Sequence, residues 1–258
     1  EKYEAWMIDR GLTLTTVGIY VRALQTMWGD AAHDQEIPKS LRPFGKRDYQ
    51  IKKSRKRKMA LTDEQLESFR SVEVKTYKEP DAPDFWLFSF HCQGINPADI
   101  FRLKWADVDG RNIVFRRHKS RNTKRSPAPV TVEMNNAAAA IFEKHCNRQT
   151  AYVFEVIDAR MSEREKRKEI KNATRRINKH LKKLSKRAGI AFNVTMNHAR
   201  HTFATTMKRK GVSAEMIAEM MGNSTESVKH YLADFPPELL AEQTRKLDRP
   251  GEGQRASD

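Results

Sequence analysis

The stretch from Met161 to Ala188 carries twelve Lys or Arg against three Glu, threaded by Ile170, Ala173, Ile177, Leu181, Leu184 and Ala188. These apolar residues recur every three or four positions, so they fall on one narrow stripe of a long helix that ends at Gly189. Such a helix seals a core with one side only. Its other side shows the solvent an excess of a single charge sign. An ordinary solvated face mixes signs, so this one suits a polyanion.

Helical signals recur on both sides. Downstream, "HARHTFATTMKRKG" stops at Gly211, "SAEMIAEMMG" runs from Ser213 to Gly222, and "STESVKHYLADF" starts at Ser224 and is broken by Pro236 and Pro237. Upstream, "DFWLFSFHCQG" predicts an apolar helix from Asp84 to about Gln93, and "GINPADIFRLKWADV" starts another with Asn96 at N-cap and Pro97 at N1. Between them and the long helix, "NIVFRRHKS" and "APVTVEM" read as two strands joined by the basic turn "RNTKRSP", with Lys119 at the end of the first. Up to about Asp34 there are two more helical stretches. The second follows Thr13, Thr15 and Thr16 as caps and has Val17, Tyr20, Leu24, Met27 or Trp28 and Ala31 on its predicted packing face. The fold class expected is mainly α with a small antiparallel sheet (α+β).

In "IKKSRKRK", from Ile51 to Lys58, six of eight residues are Lys or Arg, and a capping box follows with Thr62 at N-cap and Gln65 at N3. A basic linker thus hands over to a new domain; a solvated tether and a strand lying along nucleic acid are equally compatible with it. The expected organisation is a helical unit with this linker over 1–58, a mixed domain over 59–247, and a disordered tail over 248–258, which has no core-forming residues.

A formal charge of +16 and a pI near 9.9 make nucleic acid the first partner to consider. No apolar run approaches the roughly eighteen residues of a membrane span, so no membrane role is expected. Cys92 and Cys146 lie far apart with no CxxC spacing, which points to a reducing cytoplasm and no zinc site. No targeting segment is visible, and a start at Glu1 without methionine suggests a fragment.

The chemistry concentrates in "NHARHTFATTMKRKGVSAEMIAEMMGNSTESVKHY", which brackets Arg200 with two histidines and ends on Tyr231. A tyrosine with an ordinary pKa near 10 is a poor nucleophile at neutral pH unless cations sit beside the oxyanion it generates. Attack on a phosphodiester gives cations that task. Arg and His stabilise the charge that builds on the nonbridging oxygens, and a general acid protonates the departing alkoxide.

At these residues the chain resembles the tyrosine recombinases of the phage-integrase family, particularly integrases of conjugative transposons and related mobile elements. The matching pieces are "GINPADIFRLKW", "RRHKS", "HARHTFAT", "EMMGNST" and "HYL", in the family's order over nearly the whole sequence. The resemblance implies a core-type DNA-binding domain followed by a catalytic domain. In it Tyr231 forms a 3′-phosphotyrosyl bond, Arg200 binds the scissile phosphate and Lys119 protonates the leaving 5′ oxygen. No metal, nucleotide or other cofactor is implied. The partners implied are double-stranded DNA attachment sites and a homo-tetramer on DNA, with a monomer when free, in the bacterial cytoplasm and on the nucleoid when bound.

Three positions depart from the family pattern. Its first arginine falls at Asn96, its first histidine at Asn197 and its second histidine or tryptophan at Asn223. His198, beside the expected histidine, is a candidate substitute, and Arg102, Arg116 and Arg117 are the cations available to replace the first arginine. The candidate catalytic set is therefore Tyr231, Arg200, Lys119, His198, Asn223 and Asn96. The candidate DNA-binding set is Lys52, Lys53, Arg55, Lys56, Arg57 and Lys58 in the linker, Arg121 in the turn, and Arg175 and Lys179 on the long helix. Two other readings stand beside this one. The helices around Gly222-Asn223-Ser224 also read as a helix-turn-helix, which would make the protein a non-enzymatic regulator, and the three asparagines would suit a catalytically impaired accessory DNA binder.

Overall fold

The computed structural model describes residues 1–34, 36–45, 48–52, 59–72, 81–119, 128–235, 240, 241 and 245. The chain divides into two compact units, Glu1–Arg57 and Lys58–Asp258.

In the first unit, α1 (Lys2–Asp9) packs on α2 (Leu14–His33), whose N-cap Thr13 accepts the Thr16 N–H. The core is small: Met7, Val17 and Val21, flanked by Leu12, Phe44, Tyr49 and Ile51. The packing face expected of α2 is corrected here. Val17 is buried, but Tyr20, Leu24 and Met27 are exposed, because the helix turns its Val17, Gly18 and Val21 side inward. A Cβ at Gly18 would lie 3.4 Å from the Ile51 side chain and 3.6 Å from the Lys52 carbonyl, so this side of the helix packs at ordinary contact distance against the chain at Ile51 and Lys52. Buried Glu4 accepts the Tyr49 hydroxyl at 2.7 Å and pairs with Lys52 Nζ at 3.0 Å. Burial and this carboxylate push the Tyr49 hydroxyl up to about 12.

The second unit starts with α3 (Asp63–Ser71), where Thr62 and Gln65 close the expected capping box. Next come α4 (Asp81–His91), the four-residue α5 (Pro97–Ile100) and a 3-10 turn (Trp105–Asp107). A three-stranded antiparallel sheet follows: β1 (Val108–Asp109), β2 (Asn112–Phe115) and β3 (Val130–Glu133). Its register sets Ile113 opposite Val132 and Phe115 opposite Val130, so alternate side chains enter the core. The short β1 extends the expected hairpin by one strand. The helices α6 (Asn136–His145), α7 (Glu163–Arg187), α8 (Met196–Arg209), α9 (Ala214–Met220) and α10 (Thr225–Val228) complete the unit.

One core binds these elements. Trp86 and Phe88 of α4 are fully buried, Phe154 meets Phe85 and Phe88 edge-on at 5.4 Å, and Leu181 and Leu184 of α7 close one side. Each apolar residue expected on the α7 stripe is buried except Ala188, which is half-buried, and eleven of its Lys and Arg side chains are exposed. A second cluster, Phe203, Ala204, Ile217, Ala218, Met221 and Val228, ties α8 to α9 and α10 and supports Tyr231 and Leu232. Among the described residues no helix is long and apolar enough to cross a membrane.

Candidate active site

Arg200 anchors the site. It is 1% exposed on α8, where its Nη1 donates to the Gly94 carbonyl, while Nε and Nη2 are buried with no hydrogen-bond partner among the described residues. The local backbone is shaped around it. Gln93 and Gly94 have φ of 57° and 69°, and a Cβ at Gly94 would stand 3.1 Å from Arg200 Cα, so this left-handed turn and close approach call for glycine. The Arg200 guanidinium lies over the Tyr231 ring at 5.2 Å. Burial lowers its pKa from the ordinary arginine value, Tyr231 and Asp99 oppose that shift, and Arg117 adds to it.

Arg117, just beyond β2, is thus a second cation, close enough for its charge to act on Arg200. Its Nη1 donates to the Gly222 carbonyl at 2.6 Å and to Asn223 Oδ1, and its Nε is buried without a partner among the described residues. Gly222, at φ 59°, admits this packing, since a Cβ there would run into the Val130 side chain and stand 3.0 Å from Arg117 Cδ. Asp99, 6% exposed, accepts the His118 N–H at 2.8 Å. Burial raises its pKa, against the pull of Arg117 and Arg200. Three buried guanidinium nitrogens, Nε and Nη2 of Arg200 and Nε of Arg117, are thus left without partners among the described residues, and such donors suit an anion.

Tyr231 is half-buried just after α10, with its ring 5.0 Å from that of His201. Its carbonyl receives His201 Nδ1 and the Thr205 hydroxyl, each at 3.4 Å. A carbonyl only accepts, so the His201 proton sits on Nδ1, and Nε2 takes the Asn197 amide at 3.2 Å.

The other sequence candidates lie as follows. Asn223 enters the site through Arg117. Asn96 caps α5 by accepting the Ala98 N–H at 3.3 Å. Lys119 is exposed in the turn after β2, and no contact among the described residues ties it to Arg200 or Tyr231. His198 is committed to the start of α8: its Nδ1 accepts the Thr195 N–H at 2.9 Å, its ring meets Phe192, and burial with His201 nearby pushes its pKa down to about 4. Of the substitutes for the first arginine, Arg102 is turned to His118 and Glu163, and Arg116 is exposed, which leaves Arg117. Lys52 pairs with Glu4, and Arg175 and Lys179 are exposed on α7; Lys53, Arg55, Lys56, Arg57, Lys58 and Arg121 lie outside the described residues. The sequence offers His201 as a hydrogen-bonding neighbour of Arg200, and it is half-buried against the Tyr231 ring; Asp99 reads in the sequence only as a first-turn residue of α5, and its signal is burial.

A buried arginine lying over a tyrosine ring, in a mainly helical domain with a small antiparallel sheet, fits a strand-transfer enzyme of the tyrosine-recombinase class. The chain belongs to the Phage integrase family, which it matches over residues 91–237. It is 26% identical over 245 residues to tyrosine recombinase XerA of Thermococcus onnurineus (strain NA1), covering 95% of this chain and 79% of that one. It is likewise 26% identical over 157 residues to the integrase of Salmonella phage P22, covering 60% of this chain and 40% of that protein. In fold it is similar to the Tn1549 transposon integrase bound to circular intermediate DNA, with a TM-score of 0.65 and 18% identity over 96% of this chain and 84% of that one. A lambda integrase dimer bound to a COC′ core site gives a TM-score of 0.60 and 15% identity over 91% and 78%.

Proposed function

We propose that the protein cleaves and rejoins duplex DNA at specific attachment sites to integrate or excise a mobile element. The observation that carries this reading is a buried Arg200 whose guanidinium lies over the Tyr231 ring, with its Nε and Nη2 unpartnered among the described residues. The Tyr231 oxygen attacks the scissile phosphorus and passes its proton to solvent water as the bond to the 5′ oxygen breaks. Arg200 and Arg117 hold the nonbridging oxygens where charge builds. Lys119, exposed and on a turn, swings to the 5′ oxygen when DNA arrives and gives it a proton. A 5′ hydroxyl of the partner strand then attacks the phosphotyrosine, so no nucleotide is consumed.

In this reading residues 1–58 form the core-type DNA-binding domain and 59–247 the catalytic domain, with Arg175 and Lys179 on phosphates. The enzyme works as a tetramer on two duplexes, the chain after Tyr231 docking on a neighbour, and is monomeric and cytoplasmic when free. Against a helix-turn-helix regulator stands the length of α10: four residues are too few for a recognition helix.

Nicked suicide duplexes that carry candidate attachment sites test the proposal. A covalent protein–DNA adduct is expected on a denaturing gel, absent in Tyr231→Phe. Footprinted binding without any adduct would instead favour an accessory DNA binder disabled by Asn96, Asn197 and Asn223.

A further inference from the structure

One face of α8 carries Asn197, His201, Thr205 and Lys208, at helical spacings of four, four and three. All four serve the segment Tyr231–Ala233. Thr205, 1% exposed, does two jobs with one hydroxyl: it donates to the Tyr231 carbonyl at 3.4 Å and accepts the Ala233 N–H at 3.2 Å. His201 Nδ1 shares the Tyr231 carbonyl, Asn197 holds the far nitrogen of that ring, and Lys208 Nζ donates to the Ala233 carbonyl at 2.8 Å. The same helix carries Arg200.

We infer that Thr205 and His201 are positioning residues that latch the main chain of the nucleophile segment to the arginine helix and so set where the Tyr231 ring stands over Arg200. The inference rests on the reading of Tyr231 as the nucleophile and deepens it. The short helix α10 ends at Val228, and from that side the chain is led through Tyr231 by backbone bonds of a last irregular turn: His230 N–H to the Ser227 carbonyl at 3.2 Å, and the Tyr231 and Leu232 N–H groups to the Val228 carbonyl at 2.8 and 3.3 Å. From the other side the latch sets the remaining freedom of the residue. A thin helix end alone does not hold a reacting oxygen to within an ångström, and a misplacement of that size costs about a hundredfold in rate. The position of the family's first histidine, occupied by Asn197, thereby acquires a use: an amide N–H donated to His201 Nε2 keeps the Nδ1 proton on the Tyr231 carbonyl.

The test compares Thr205→Val, Thr205→Ser, His201→Leu and His201→Gln with the unaltered chain and Tyr231→Phe. Single-turnover adduct formation is followed on a nicked duplex at saturating protein, and DNA affinity and thermal melting are measured alongside. Thr205→Val removes both hydrogen bonds at nearly constant shape, so adduct formation is expected to slow by about 10- to 100-fold with DNA affinity unchanged, and Thr205→Ser to return within about threefold of normal. His201→Gln, which keeps a donor for the carbonyl, is expected to outpace His201→Leu by about tenfold. The histidine pair decides the matter if Thr205→Val does not fold. Normal rates in Thr205→Val and His201→Leu, with Tyr231→Phe inactive, would overturn the latch and leave the nucleophile standing. Equal losses in the conservative and disruptive variants of each pair would reduce the latch to packing. Adduct from Tyr231→Phe, or none from the unaltered chain, would overturn the nucleophile and the latch together.

Discussion

Arg117 supplies a charge that Asn96, capping α5 with its side chain, does not. If it stabilises the pentacovalent phosphorus, its removal must slow chemistry more than it weakens binding. Arg117→Ala is expected to lower single-turnover cleavage by about 10²- to 10³-fold, the range for losing one preorganised donor at an oxyanion, with much smaller change in DNA affinity. Arg117→Lys keeps one donor for the Gly222 carbonyl but no planar fork, so it should recover only part of the loss. A full recovery would mean that the arginine acts as a strut. Two half-buried histidines set a second expectation. His91 and His198 are both held near 4, chiefly by burial, against an ordinary 6.5. The unfolded chain therefore binds more protons between those values, and stability must rise with pH across the window. Their contribution is complete above about 6.5 and is lost as pH falls toward 4. Melting temperatures recorded from pH 7 to pH 4.5 should fall, and less steeply in His198→Gln. The raised Asp99 pushes the other way, so the difference between variant and parent is the quantity to read. At this scale the sequence shows Tyr231 and Arg200, because a local motif carries each. It hides the electrostatic link of Asp99 and Arg117 to Arg200, because those residues are distant along the chain and their charges act on one another only once it is folded.

Among the elements, α7 is the one whose sequence states its structure almost completely. Its stripe is buried, its basic side chains are exposed, and Ser162 and Glu165 close a capping box in which Ser162 Oγ accepts the Glu165 N–H at 3.3 Å. Ser162→Ala should cost about 1 kcal/mol in a denaturant titration, the usual value of an N-cap. Its DNA role makes a separate expectation. If Arg175 and Lys179 each neutralise a phosphate, replacing both by Gln should shrink the slope of log affinity against log salt by up to about 2 and weaken all sequences alike. An unchanged slope would place the α7 face away from DNA. Two elements are less legible, for different reasons. The spacing of Tyr20, Leu24 and Met27 suits a helix as well as Val17 and Val21 do, and the packing of Met7, Leu12, Phe44, Tyr49 and Ile51 against the second face selects it. The pattern of "STESVKHYLADF" continues as a helix, yet α10 stops at Val228, and the Tyr231 carbonyl turns instead to Thr205 and His201. Tertiary hydrogen bonds outweigh local propensity there.

At the scale of the whole molecule, a basic run at residues 51–58 marks the change from one unit to the next in the sequence, and the compact units divide between Arg57 and Lys58. What the sequence does not convey is how unequal the two cores are. The second unit buries more than thirty apolar residues in one cluster, whereas the first buries Met7, Val17 and Val21. A segment of fewer than 60 residues is near the lower limit for independent stability even with a full core. Scanning calorimetry should therefore show two transitions, a weak early one from residues 1–57 and a larger later one. Val21→Ala should lower only the first. Leu181→Ala, which opens a cavity in the larger core, should lower only the second, by roughly 4–20 °C for a loss of about 2–5 kcal/mol. If residues 1–57 bind duplex DNA, a specific duplex in excess should move the early transition upward toward the later one, since a ligand of the folded state stabilises it by mass action. One transition that both substitutions shift would mean that the small core borrows its stability from the large one, and that a DNA-binding half and a catalytic half do not fold separately.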